Sequence, residues 1–125
     1  MNLLENWGIR TQSVSADQVV LTIEVSDRLK QPYGIVHGGV NAVLAETAAS
    51  MGANEWLTRQ DRGQIAVGIN ITTEHLLPVS AGTLITKARP LRRGRTIQTW
   101  LVKEYNGARL TSTSIVTLAN RAKPA

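Results

Sequence analysis

Between Gln31 and Ser50 the chain reads Gln31-Pro-Tyr-Gly-Ile-Val-His-Gly-Gly-Val-Asn-Ala-Val-Leu-Ala-Glu-Thr-Ala-Ala-Ser50. From Gly38 through Asn54 the pattern is helical and rich in alanine, and it holds a single ionisable residue, Glu46. A helix with no charged face is a helix that packs on its surroundings all round. A lone carboxylate there is costly unless it is paired, hydrogen-bonded or protonated. No basic residue on the same helix is near enough to pair with Glu46, which makes it the first candidate for chemistry, as a general base or as a nucleophile. Ser50 falls at i+4 on the same face, so a carboxylate and a hydroxyl could hold one water between them. Gly38 and Gly39 stand where the helix begins. Backbone N–H groups there lack intrahelical partners and have the positive end of the helix dipole behind them, a natural setting for an oxyanion. Each residue also has a structural reading: Glu46 as a hydrogen-bonder, His37 as a helix cap, Ser50 as a small packing residue, and Gln31 as ordinary loop chemistry.

Composition removes several alternatives. The chain has no cysteine, which excludes disulfides, zinc–thiolate sites and cysteine nucleophiles. His37, Glu46 and His75 lack any recognised ligand spacing, so no metal is expected, and no Gly-x-Ser-x-Gly elbow is present. The formal charge of +5 is concentrated: Lys87, Arg89, Arg92, Arg93 and Arg95 fall close together, and no acidic residue lies between Glu74 and Glu104. A local cationic patch suits phosphate groups on a small molecule. Nucleic acid is not expected as a partner, because stacking aromatics are scarce, with Phe absent, Trp 3 and Tyr 2. No basic leader and no apolar run of ~20 residues is evident, so the expectation is a cytoplasmic protein without a membrane partner.

The elements that must position these residues follow from periodicity and punctuation. Residues 1–125 are read as one domain. Ile9 to Ser13 and Gln18 to Val25 are predicted strands, Asp27 to Val36 a loop, and Gly39 to about Thr58 the helix. Four strands then follow, Ile65 to Leu77, Thr83 to Leu91, Thr96 to Tyr105 and Arg109 to Leu118. Their connections are Pro78 to Gly82, Arg92 to Gly94, and Asn106-Gly107, the last a strong hairpin signal. Short turns imply an antiparallel sheet. With one early helix to cover, the sheet is expected to curve around it, approaching closely at Ala42, Ala45, Ala48, Ala49, Gly52 and Ala53. One sheet cannot bury every side of that helix, so the side holding Glu46 is expected to face a second copy of the chain.

A strand pair, a loop, His37-Gly38-Gly39, a helix with an acid nine positions after the histidine, and a four-stranded meander together resemble the hotdog-fold acyl-CoA thioesterases. The similarity is to the phenylacetate-pathway and aryl-CoA type. It implies an α+β hotdog fold in which a curved antiparallel sheet wraps one long central helix. It implies hydrolysis of an aryl- or medium-chain acyl-CoA, with coenzyme A as part of the substrate and no separate cofactor. Phenylacetyl-CoA-like and 1,4-dihydroxy-2-naphthoyl-CoA-like substrates are possible ones. By the same resemblance the acidic catalyst falls on Glu46, the oxyanion donor on Gly38, the water-positioning residue on Ser50, the loop glutamine on Gln31, and the turn histidine on His37. His75 corresponds to the second histidine of some members, although Leu76 and Leu77 stand where a His-Arg-Pro run is commoner. Gly39, Tyr33, Val36, Ala42 and Met51 are candidates for the acyl site, and Arg92, Arg93 and Arg95 for the CoA phosphates. A homodimer or dimer of dimers is implied, with sites between subunits. The alternatives are a hotdog hydratase or dehydratase, which usually shows a different histidine motif, and a non-catalytic acyl-CoA sensor, which would not need Glu46.

Overall fold

The computed structural model describes residues 1–124. The chain runs α1 (Leu3–Trp7), β1 (Arg10–Val14), β2 (Val19–Glu24), a short 3-10 turn (Asp27–Leu29), α2 (Gly38–Gln60), β3 (Gln64–His75), β4 (Thr83–Arg93), β5 (Ile97–Asn106) and β6 (Arg109–Ala122). The six strands form one sheet in the order β1-β2-β4-β5-β6-β3, every neighbour antiparallel. Helix α2 lies on one face, with its buried side made of Val40, Leu44, Ala45, Ala48, Ala49, Gly52, Ala53 and Leu57. This is the expected α+β hotdog arrangement. Small residues set the approach: a Cβ on Gly52 would lie 2.4 Å from the ring of Trp100 on β5.

Along each strand every second side chain turns toward α2. On β5 these are Gln98, Trp100, Val102 and Glu104, all buried. The apolar core divides into two parts. One holds Val19, Leu21, Ala48, Ala53, Trp100, Val102, Val116 and Leu118; the other holds Ile23, Leu29, Val36, Val40, Leu44, Val79 and Leu84.

Three features were not expected. Helix α1 is a single short turn with no periodicity to announce it, fixed by the Asn2 side chain, which accepts from the Glu5 N–H at 2.9 Å. The β5–β6 hairpin closes one residue later than the Asn-Gly signal implies, because Asn106 still pairs with Arg109 in the ladder. Its side-chain amide instead donates to the carbonyls of Ala81 and Thr83, tying the hairpin to the β3–β4 connection. Lastly, β3 carries a bulge: Gly68 pairs with Leu118 and Asn70 with Thr117, leaving Ile69 as the extra residue.

Candidate active site

The start of α2 is held from several directions. His37 has extended backbone, and its Nδ1 accepts from the Gly39 N–H at 2.8 Å, so it does cap the helix. The His37 N–H donates to the Leu29 carbonyl at 2.9 Å, and the Val36 N–H to the Val79 carbonyl at 2.8 Å. These bonds fix the loop against both the 3-10 turn and the β3–β4 connection. Over this helix end lies His75, the last residue of β3. A Cβ on Gly38 would sit 2.9 Å from His75 Nε2, and Asn41 Nδ2 is 3.2 Å from His75 Nδ1. Gln31, Gly38, Asn41 and His75 therefore line one cleft of about 270 Å³, with Leu77 and Val79 as apolar wall.

Two turns further along α2, Glu46 faces a second cleft, of about 430 Å³. Leu3 and Leu4 from α1 line it together with Val43, Ser50 and Met51 of α2. The Glu46 side chain crosses to β3, where a Cβ on Gly68 would lie 2.7 Å from Oε2. Only glycine leaves room for the carboxylate in that position. Among the described residues Glu46 makes no ion pair and no side-chain hydrogen bond. Among the described residues the Ser50 hydroxyl likewise makes no hydrogen bond, its carbonyl alone accepting from Asn54, so both groups are free to meet a ligand. The helix face that carries them is half-buried in this chain, whereas the opposite face is fully covered by the sheet.

A carboxylate free of partners, a hydroxyl one turn away, and a glycine-led helix N-terminus are the parts acyl transfer needs. Comparison with known proteins gives the family. Residues 33–112 match the model of the thioesterase superfamily. The chain is 37% identical over 103 residues to the 1,4-dihydroxy-2-naphthoyl-CoA hydrolase of Listeria monocytogenes, covering 82% of this chain and 81% of that protein. It is 38% identical over 104 residues to the proofreading thioesterase EntH of Cronobacter turicensis, covering 83% of this chain and 74% of the relative. A solved thioesterase from Haemophilus influenzae superposes with a TM-score of 0.88 at 32% identity, over 95% of this chain and 82% of that one. The chain belongs to the thioesterase superfamily. It is a thioester hydrolase.

The remaining expected residues of this thioesterase are dispersed. Gln31 Oε1 accepts from the Tyr33 N–H and so stiffens the loop, while Tyr33 itself is 90% exposed and stands away from both clefts. Arg92 and Arg95 are exposed. Arg93 is held by its own chain: Nη1 donates to the Ala16 carbonyl at 2.6 Å, Nη2 lies 3.3 Å from Asp17, and the guanidinium stacks 5.6 Å above the Trp56 ring. Lys87 and Arg89 line a separate shallow cleft on the outer face of the sheet, with Lys103 and Tyr105.

Two polar residues of the interior were missed. Asn41, which bonds His75, looked like one more neutral position in an alanine-rich helix. Glu104 is fully buried, and burial pushes its carboxyl up from 4.5 to about 8. Its neighbours Lys103 and Tyr105 made the segment look solvated, but counting by twos from Trp100 and Val102 would have turned Glu104 inward. Among the described residues no helix is long and apolar enough to cross a membrane.

Proposed function

We propose that this thioesterase cleaves acyl-CoA esters with an aryl or medium-chain acyl group, at sites that each combine two copies of the chain. The carrying observation is a distance. Gly38 and Glu46 are eight residues apart on one helix, hence about 12 Å apart along its axis. A single carbonyl needs its oxyanion donor and its attacking water within about 3 Å of the reacting atoms, which one chain cannot supply from these two residues. Two copies of α2 packed antiparallel about a two-fold axis would bring Glu46 of one to Gly38 of the other. The half-buried α2 face supports such packing, as does β3, a long strand at the sheet edge with Val67 and Ile69 exposed beside open backbone groups.

In this reading Glu46 takes a proton from a water that it shares with Ser50, and the water oxygen attacks the thioester carbonyl. The Gly38 N–H, reinforced by the helix dipole, stabilises the oxyanion, a contact worth about 3 kcal/mol in typical enzymes. Collapse breaks the C–S bond, and the thiolate of CoA leaves and is protonated, giving free acid and thiol. Apolar walls from Leu3, Leu4, Val43 and Met51 suit an aryl or alkyl group. The exposed Arg92 and Arg95 remain for the CoA phosphates, since Arg93 is engaged. Naphthoyl and phenylacetyl thioesters are the first substrates to try, the former because a relative carries that activity in its name. A cytoplasmic location fits such substrates.

The test is thiol release from benzoyl-, phenylacetyl-, naphthoyl- and fatty acyl-CoA; the absence of cysteine keeps the background low. Glu46→Gln and Gly38→Val are each expected to be inactive alone. After mixing and reassembly, half of the dimers are mixed, and each mixed dimer regains one intact site, so about a quarter of wild-type activity returns. No recovery in a mixture shown to exchange subunits rules out the composite site.

A further inference from the structure

The strand registers place one polar row across the inside of the sheet. Thr86 on β4 pairs with Glu104 on β5, Glu104 with Ser112 on β6, and Ser112 with His75 on β3. Thr86, Glu104 and Ser112 are buried, and they lie between the two apolar parts of the core, level with Leu21 on one side of Thr86. Among the described residues Thr86 Oγ1, both Glu104 carboxyl oxygens, Ser112 Oγ and Asn41 Oδ1 are buried without a well-formed hydrogen bond, the Ser112 hydroxyl lying near the Glu104 carboxyl and partly offsetting the effect of burial on it. Buried polar atoms are nearly always satisfied, and a group of them in one place is the setting in which enclosed water is found. The row ends at the first cleft. There Asn41 from the helix bonds the His75 ring, and Ser112 is the ladder partner of His75 on β6.

We propose that Glu104, acting through Ser112 and enclosed water, is a positioning residue for His75, so that the buried row and Asn41 together set the ring's orientation beside Gly38. This rests on the reading that the Gly38–His75 cleft is part of the thioesterase site. Among the described residues no cation faces Glu104 to hold it ionised. The inward residues around it are Leu21 on β2, Leu84, Thr86 and Ala88 on β4, and Ser112 and Ser114 on β6. From α2 the sheet-facing residues are Leu44, Ala45 and Ala48, while Glu46 lies over Gly68; from β3 the inward titratable group at this end is His75, and its neighbour Glu74 is exposed on the opposite face of the strand. Below pH 8 the carboxyl keeps its proton and can donate along the row; above it, a charge appears two strand spacings, about 10 Å, from the imidazole.

The protein has two histidines, His37 and His75, so their ring resonances are readily assigned. In wild type the His75 ring signals are expected to show an inflection near pH 8 as Glu104 ionises, absent from His37 and abolished in Glu104→Gln. In kinetics, Glu104→Gln, which keeps a donor and an acceptor, is expected to hold kcat within about threefold at pH 7, and Glu104→Leu to lower it about tenfold with KM little changed. The His75 ring signals are read without substrate, so this test stands even where no thioester is cleaved. Superimposable His75 curves in wild type and Glu104→Gln overturn the proposal, as does a folded Glu104→Leu with unchanged kcat.

Discussion

Glu46 and Glu104 are two carboxylates on the same side of one sheet, and their surroundings differ in every respect that matters for chemistry. Glu46 is the one ionisable residue between Gly38 and Asn54 of its helix, half-buried, and its oxygens face a cleft over Gly68. Glu104 sits on a strand between Lys103 and Tyr105, yet it is sealed between sheet and helix, and its carboxyl is raised to about 8. A carboxylate that must accept a proton from water near neutral pH has to be reachable and ionised. One that must hold a polar row inside a core is better kept protonated. Burial therefore separates the two groups in the way their proposed roles require, and it does so in the opposite order from the charge of the flanking residues.

The largest effect that would break this contrast is on turnover. Glu46→Gln is expected to lower kcat by about a thousandfold, roughly 4 kcal/mol of barrier, with a melting temperature close to wild type. Activity surviving in Glu46→Gln would remove the distinction. The next effect belongs to Glu104. Its folded value lies above the ordinary 4.5, so the folded state holds a proton that the unfolded state releases. The stabilisation is complete below pH 4.5 and is lost as pH rises through 8, with a slope of at most about 1.4 kcal/mol per pH unit between them. Urea unfolding across that range is expected to show the decline in wild type and a flatter profile in Glu104→Gln; parallel profiles would mean that Glu104 does not carry it. Gly68→Ala sharpens the Glu46 side, because its methyl would meet Oε2 at 2.7 Å and displace the carboxylate. About a tenfold loss of kcat/KM is expected, with little change in unfolding free energy. Smallest is His37→Ala, which removes the bond to the Gly39 N–H and is expected to cost about 1 kcal/mol of stability in denaturant titration.

Much of this architecture was legible in the sequence. The alanine-rich helix, the alternation in Val19, Leu21 and Ile23, and turn signals between long strands led to the sheet-wrapped helix, with strand ends shifted by a few residues. Glu46, Gly38 and Ser50 stood out because the stretch from Gly38 to Asn54, otherwise without charge, makes its exceptions visible. What escaped notice depends on partners distant in sequence. Thr86, Glu104, Ser112 and His75 are far apart in the chain and become a row only when three strand registers are known. Helix α1 was missed because five residues are too few for a period. The reach of Arg93 to Ala16 and Asp17 likewise belongs to the folded chain alone.

The bulge at Ile69 bears on how this protein could diverge. Gly68, which makes room for Glu46, and His75, which lies over Gly38, are seven positions apart, an odd number, so an unbroken strand would turn them to opposite faces. The extra residue at Ile69 restores parity and lets one strand serve both clefts. What links the two halves is thus a matter of counting. Substitutions at many positions between them leave that count intact, whereas gaining or losing a single residue there would turn His75 away from the helix without altering any group that does chemistry. In a lineage of such chains, the length of this strand segment would be held constant more strictly than its composition.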